Sequence, residues 1–159
     1  MNNSLAGCFI RKARMNDVKA IHAILMDCSK QGLLLPRSYS DLYNHLRDHY
    51  VLIAHDTEEV LGCCALSIVW ENLAEIRSLA LVSRARGCGW GRKLVEACLS
   101  ESVTLGIFRV FTLTYQADFF ARLGFSLINK DVLPQKVWAD CLRCPKFPDC
   151  DETAMLMEM

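Results

Sequence analysis

Hydrophobic and polar positions along this chain change period several times, and each change marks an element. Phe9-Ile10-Arg11-Lys12-Ala13 alternates and predicts an opening strand. Val18, Ile21, Ile24, Leu25 and Cys28 then fall on one stripe of a helix, with Asn16 or Asp17 as its cap and Gly32 as its stop. Leu33 to Ser38 is a loop. Ser38 or Ser40 caps a short second helix carrying Tyr43, Leu46 and Arg47. Tyr50 to Ala54 and Val60 to Trp70 are strands joined across the polar turn Asp56-Thr57-Glu58-Glu59, a hairpin.

A fourth strand runs from Ala74 to Val82. A glycine-rich turn follows, Arg86-Gly87-Cys88-Gly89-Trp90-Gly91, and then an amphipathic helix from Arg92 that stops at Gly106. Ile107 to Leu113 alternates with β-branched and aromatic residues and predicts another strand. A short helix ends at Leu123-Gly124, and Phe125 to Val132 and Thr153 to Met159 are predicted strands. The order is that of an α+β domain with a mixed sheet.

Strand, glycine turn, helix start is a combination that offers a row of backbone N–H groups to a phosphate. Glycine allows the close approach and the backbone conformations this needs. The spacing excludes two phosphate binders. A dinucleotide fingerprint requires glycine where Arg92 stands, and a P-loop requires a Gly-Lys-Ser/Thr ending that is absent. Without further context the run is equally a tight strand-to-helix turn.

Composition narrows the reading. The chain has 159 residues, enough for one domain with a sizeable core, and is 52% hydrophobic and 23% charged, which is a globular balance. Its formal net charge is zero and its basic residues are scattered among acids, so neither a nucleic-acid surface nor a membrane patch is expected. The longest apolar run, Val60 to Trp70, is too short to cross a bilayer, and the N-terminus lacks a secretion pattern. A cytoplasmic location is expected. In that setting the cysteines within apolar runs (Cys8, Cys28, Cys63, Cys64 and Cys98) act as small hydrophobes rather than disulfide partners. Cys141, Cys144 and Cys150 differ. A Cys-x-x-Cys knuckle plus a third thiol suits a structural zinc, with a tight loop of packed cysteines as the plainer alternative.

Leu79-Ala80-Leu81 followed by Arg86-x-x-Gly89-x-Gly91 resembles the acetyl-CoA-binding motif of the GNAT superfamily of N-acetyltransferases. Ala117 to Phe125, ending in Leu-Gly-Phe, is similar to that family's second signature. The resemblance implies an acyl-CoA N-acyltransferase fold. Its central strands, here ending at Leu81 and Leu113, splay apart and hold the pantetheine arm of acetyl-CoA. It places the cofactor on Leu79, Ala80, Leu81, Arg86, Gly87, Cys88, Gly89, Trp90 and Gly91, with Phe119 and Phe120 as channel walls or core residues. Arg84, Arg92 and Lys93 surround the same turn.

Acetyl transfer to an amine needs a base for the ammonium and stabilisation of the thioester oxygen as it becomes an oxyanion. The departing thiolate takes a proton from an acid or from water, or leaves without one. Glu75 matches the family's strand glutamate and is the expected base; an exposed carboxylate paired with Arg77 is the alternative. Tyr115, after the splayed strand, is the expected acid, because the family's helix tyrosine is replaced here by Phe120.

Within the superfamily several pieces resemble the acetyltransferase part of the N-acetylglutamate synthases: Leu34 to Ser38, Ala74 to Ala80, Phe111 to Tyr115, Leu133 to Trp138 and the tail from Cys141 to Glu152. An acceptor with two carboxylates needs at least two cationic or multi-donor groups. Arg37, Arg77 and Lys136, with Ser78, are the expected set, though surface charge is the commoner fate of such residues. One N-acetyltransferase domain over residues 1–159 is expected, without the amino-acid-kinase-like domain of the long synthases. A homodimer is an expectation carried from the superfamily. The competing readings are a GNAT enzyme for another amino acid, a polyamine, an antibiotic or a protein N-terminus; a non-catalytic acyl-CoA-binding module; and a zinc-dependent interaction protein.

Overall fold

The computed structural model describes residues 7–134 and 151–159. Seven strands form one mixed sheet in the order β1-β2-β3-β4-β5-β7-β6. They are β1 (Phe9–Lys12), β2 (His49–Ile53), β3 (Val60–Trp70), β4 (Leu73–Leu81), β5 (Arg109–Thr114), β6 (Ser126–Leu127) and β7 (Thr153–Glu158). The helices are α1 (Val18–Lys30), α2 (Tyr39–Asn44), α3 (Trp90–Thr104) and α4 (Ala117–Arg122).

The apolar stripe of α1 does what its spacing demands. Val18, Ile21, Ile24, Leu25 and Cys28 are all buried, packed on Val51, Ile53, Cys63 and Ala80 of the sheet. Asp17 stands at the N-cap position, but its carboxylate turns back to accept from the Arg14 N–H at 2.7 Å and from both terminal nitrogens of Arg11. Ser38 caps α2, its hydroxyl accepting from the Asp41 N–H at 3.1 Å. On the other face of the sheet, α3 lays Leu94, Val95 and Cys98 against Leu52, Leu61, Cys64, Leu66, Ala74 and Ile76. From Val60 to Leu66 every residue of β3 is buried, because both faces are covered there. This explains the unbroken apolar run. Burial raises the Cys63 thiol to about 12, so it packs as a neutral hydrophobe, as the sequence suggested.

One predicted element is shorter than expected. Of Phe125 to Val132, only Ser126 and Leu127 pair, with Leu156 and Met155. Asn129 then accepts from the Asp131 N–H at 2.9 Å and opens a single 3-10 turn. The side-chain cap wins over strand propensity there.

The centre of the sheet carries the feature that builds a cavity. β4 and β5 run parallel and pair only at Ala74–Val110 and Glu75–Phe111. The Thr112 hydroxyl donates to the Ile76 carbonyl at 2.8 Å as the last link between them. Beyond it β5 stays with β7 along its whole length, while β4 keeps only β3. At the same place the β3–β4 register slips between Cys63–Ala80 and Ala65–Arg77, so two residues of β4, Ser78 and Leu79, face one of β3. Ser78 takes the left-handed conformation at φ 57 that such a bulge requires. The bulge inverts the alternation. Glu75 and Arg77 share the α1 face before it, yet Ala80 occupies that face after it, and Leu79 and Leu81 turn to the α3 core.

Candidate functional site

The parted strands leave a cavity of about 350 Å³. Leu79, Ala80 and Leu81 form one wall, Gln116 just before α4 with Phe119 and Arg122 of α4 another, and Gly87, Gly89, Gly91 and Arg92 the floor at the start of α3. Cys28, Leu33 and Arg86 close the remaining side. The edge of β4 that lost β5 faces this space, so its backbone N–H and C=O groups are available to an extended, amide-containing ligand.

Gly62 shows how tightly the β4 wall is held. A Cβ there would lie 2.3 Å from Leu81 Cδ2 and 2.9 Å from the Ala80 carbonyl oxygen, so only glycine lets β3 seat this part of β4. The turn ahead of α3 needs its glycines for a different reason. Gly87 and Gly89 have φ +75 and +87, with open space around their Cβ positions. The constraint is backbone conformation, not crowding. Gly89 is the N-cap of α3 and brings no side-chain cap, so the first N–H groups of a 15-residue helix point at the cavity floor with the positive end of its dipole. With Arg92 on the floor and Arg122 on a wall, this cradle fits a phosphate-bearing ligand, and the apolar remainder fits its arm.

Arg86 lines the cavity but works as a clamp. Its Nε donates to the Leu81 carbonyl at 3.1 Å and its terminal nitrogens reach Gln31 Oε1 at 3.0 Å and the Cys28 thiol at 3.3 Å. It ties the glycine turn to the end of β4 and to α1. Cys88 is exposed, with its thiol 3.5 Å from the Arg86 carbonyl, and Lys93 lies 4.4 Å above the Trp90 ring. Arg84 pairs with Glu59 of the turn between β2 and β3.

Of its two expected places, channel wall or core, Phe120 takes the core one. It is 3% exposed and packs edge-on against Phe119 and Phe125, inside the α3-side core. Phe119, one position earlier on the short helix, is the aromatic residue on the cavity wall.

Glu75 and Arg77 share one face of β4, as period two requires, with Arg77 Nη1 4.0 Å from Glu75 Oε1 and both side chains nearly buried. Across the strands Glu75 faces Ser67 and Phe111, and Arg77 faces Ala65. Ser78 is half-buried at the bulge, and its carbonyl accepts from the Cys63 thiol at 3.3 Å. Arg37 is half-buried in the loop just before α2. Tyr115 follows β5, and its hydroxyl donates to Asp151 Oδ1 at 2.8 Å, which ties the end of β5 to the approach of β7. Lys136, Cys141, Cys144 and Cys150 lie outside the described residues. Among the described residues no group of three metal-ligating side chains converges, so the zinc expectation gains no support.

Sequence reasoning missed four wall residues, Cys28, Leu33, Gln116 and Arg122. Arg122 carried a signal: it lies three positions after Phe119, on the same face of α4.

Splayed parallel strands, a bulge beside them and an uncapped glycine-led helix are the fold and site of an acyl-CoA-dependent transferase. The chain belongs to the acetyltransferase (GNAT) family, whose model matches residues 18–125. It is 43% identical to an uncharacterized N-acetyltransferase of Chlorobaculum tepidum, over 92% of this chain and 94% of that protein. It is 34% identical to an amino-acid acetyltransferase of Mycobacterium tuberculosis, over 84% of this chain and 77% of that one. Among solved structures, N-acetylglutamate synthase from Neisseria gonorrhoeae, complexed with coenzyme A and N-acetyl-glutamate, superposes with a TM-score of 0.85 at 28% identity. The match covers 96% of this chain and 35% of that longer one. Among the described residues no helix is long and apolar enough to cross a membrane.

Proposed function

We propose that this protein transfers an acetyl group from acetyl-CoA to the α-amino group of an amino acid, and that the acceptor is L-glutamate. Such a reaction opens the route to arginine, which is where we assign this chain. The observation that carries the reading is the Glu75–Arg77 pair, held nearly buried on β4 one bulge away from the cavity wall. A base and a carboxylate-binding cation thereby sit on the strand whose next residues border the acetyl donor. The amino-acid acetyltransferase relative and the synthase neighbour point to the same acceptor class.

The acceptor arrives as an ammonium and must lose a proton before it attacks. Glu75 takes that proton, directly or through one water. The amine nitrogen then bonds to the thioester carbon, the carbon–sulfur bond breaks, and the sulfur leaves as thiolate. Backbone N–H groups of the β4 edge near Leu81 stabilise the oxygen as its charge grows. A thiol holds its proton only up to about pH 8.5, so the thiolate is a good leaving group near neutrality. Tyr115 supplies its proton, a minor contribution. Arg77 binds an acceptor carboxylate, and Arg37 and Lys136 complete the charge for the second.

The test is thiol release from acetyl-CoA by the purified protein, with free amino acids and polyamines as acceptors. The expected result is turnover with glutamate at least tenfold above any other acceptor. Preference for a polyamine would overturn the acceptor assignment, because a polyamine site needs acidic walls. Tight CoA binding with silence across the panel would overturn the catalytic one.

A further inference from the structure

His49 opens β2 and is 3% exposed. Its Nδ1 lies 2.9 Å from the His45 carbonyl oxygen. A carbonyl only accepts, so Nδ1 carries the ring proton and Nε2 presents a lone pair. That Nε2 is buried and has no hydrogen-bond partner among the described residues. Such groups are uncommon, because the hydration lost on burial goes unreplaced.

The register says what stands nearby. His49 faces Ala65 on β3, and Ala65 faces Arg77 on β4. The imidazole and the guanidinium therefore flank a single methyl group on one face of the sheet. Burial first, and then the Arg77 charge, push the His49 pKa down against the opposing pull of the His45 carbonyl and Asp48, so the ring stays neutral.

We propose that His49 is a positioning residue for Arg77: its Nε2, unbonded among the described residues, takes one N–H of the guanidinium when an acceptor carboxylate draws Arg77 off Glu75. This rests on reading the β4 row as the acceptor site. The need for it is a conflict between neighbours. An arginine close to a carboxylate stabilises the charged form and weakens it as a base. Glu75 and Arg77 share a strand face two residues apart, at 4.0 Å. A neutral acceptor on the far flank gives the guanidinium another partner, and its five N–H donors suffice for Nε2 and a substrate carboxylate together. Among the described residues, the titratable and charged groups facing this row are His45 and Asp48 from the turn before β2, and Glu75 and Arg77 from β4. β3 contributes Ala65 and Ser67, and β5 contributes Phe111, none of them charged.

Three proteins test this: wild type, His49→Leu and His49→Gln. Glutamine carries an amide oxygen at about the reach of Nε2. His49→Leu is expected to raise the KM for the acceptor about tenfold and leave that for acetyl-CoA within twofold. It should also move the acid limb of kcat/KM down by half a pH unit or more, as Arg77 falls back on Glu75. His49→Gln should recover most of both, and both variants should melt within a few degrees of wild type. An unchanged acceptor KM and acid limb in His49→Leu, or a glutamine variant as impaired as the leucine one, overturns the proposal. Wild-type acceptor preference tests the glutamate reading separately; if another amine is preferred, the three proteins are compared on that amine. Arg77→Ala gives a readout independent of any acceptor. It should raise the His49 pKa measured by NMR titration of the ring, and an unmoved titration contradicts the pairing.

Discussion

Two arginine–carboxylate pairs of this molecule are buried to a similar degree and are built for different ends. Arg11 and Asp17 form a two-pronged pair at 2.7 and 3.1 Å, and the same carboxylate also accepts the Arg14 N–H at 2.7 Å. Arg77 and Glu75 approach only to 4.0 Å, on a strand that loses one neighbour a residue or two later. The first pair locks β1 to the start of α1. The second holds a carboxylate and a guanidinium side by side where β4 and β5 part. Burial alone does not tell a structural ion pair from a reactive one; geometry and the continuity of the surrounding sheet do.

The sharpest way to break this contrast is Glu75→Gln. Loss of a positioned base is expected to lower kcat by about 10²–10³-fold, with CoA affinity, measured by calorimetry, within threefold of wild type. Asp17→Asn should do the reverse. Removing one partner of the buried pair is expected to cost about 2–3 kcal/mol, or a fall in Tm of about 5–10 °C, with kinetics per folded molecule unchanged. The effect has a defined pH sign. Burial pushes Asp17 up, but the Arg11 bonds and the Arg14 N–H outweigh it and hold its pKa below the usual carboxylate value. Its contribution is therefore complete above that ordinary range and is lost as pH falls through the lowered value. Melts of wild type and Asp17→Asn should converge in acid; a constant gap down to the lowest pH would contradict the pairing.

Smaller effects sharpen the same division. Arg77→Ala should raise the acceptor KM about 20-fold and leave the acetyl-CoA KM almost unmoved, the signature of lost acceptor binding. Gly89→Val forces a β-branched residue toward φ +87 at the helix start. CoA binding should weaken about tenfold, with kcat at saturation little changed. Tyr115→Phe should lower kcat by less than about tenfold, since a thiolate leaves without much help near neutrality; a loss rivalling that of Glu75→Gln would give Tyr115 a larger role.

The sequence announced the two ends of the site better than its middle. The glycine run and the helix after it were legible because positive φ and an uncapped helix start leave a compositional mark. Glu75 and Arg77 were legible because period two puts them on one face. The bulge at Ser78 was not, since serine carries no signal for left-handed backbone, and it is the bulge that turns Leu79 and Leu81 off the face that Glu75 and Arg77 share. Phe119 and Phe120 could not be told apart by composition; the pitch of α4 assigns one to the wall and the other to the core. His49 passed unremarked because its burial and its place opposite Ala65 come from the hairpin register, which no local pattern in β2 states.

The structure of this protein with CoA and N-acetyl-L-glutamate is the most direct test of the central claim. The account predicts the pyrophosphate against the N–H groups from Gly87 to Gly91, the acetyl carbonyl within reach of the β4 edge near Leu81, and a carboxylate on Arg77. A product seated elsewhere, with Arg77 closed on Glu75 and the β4 row untouched, would contradict it.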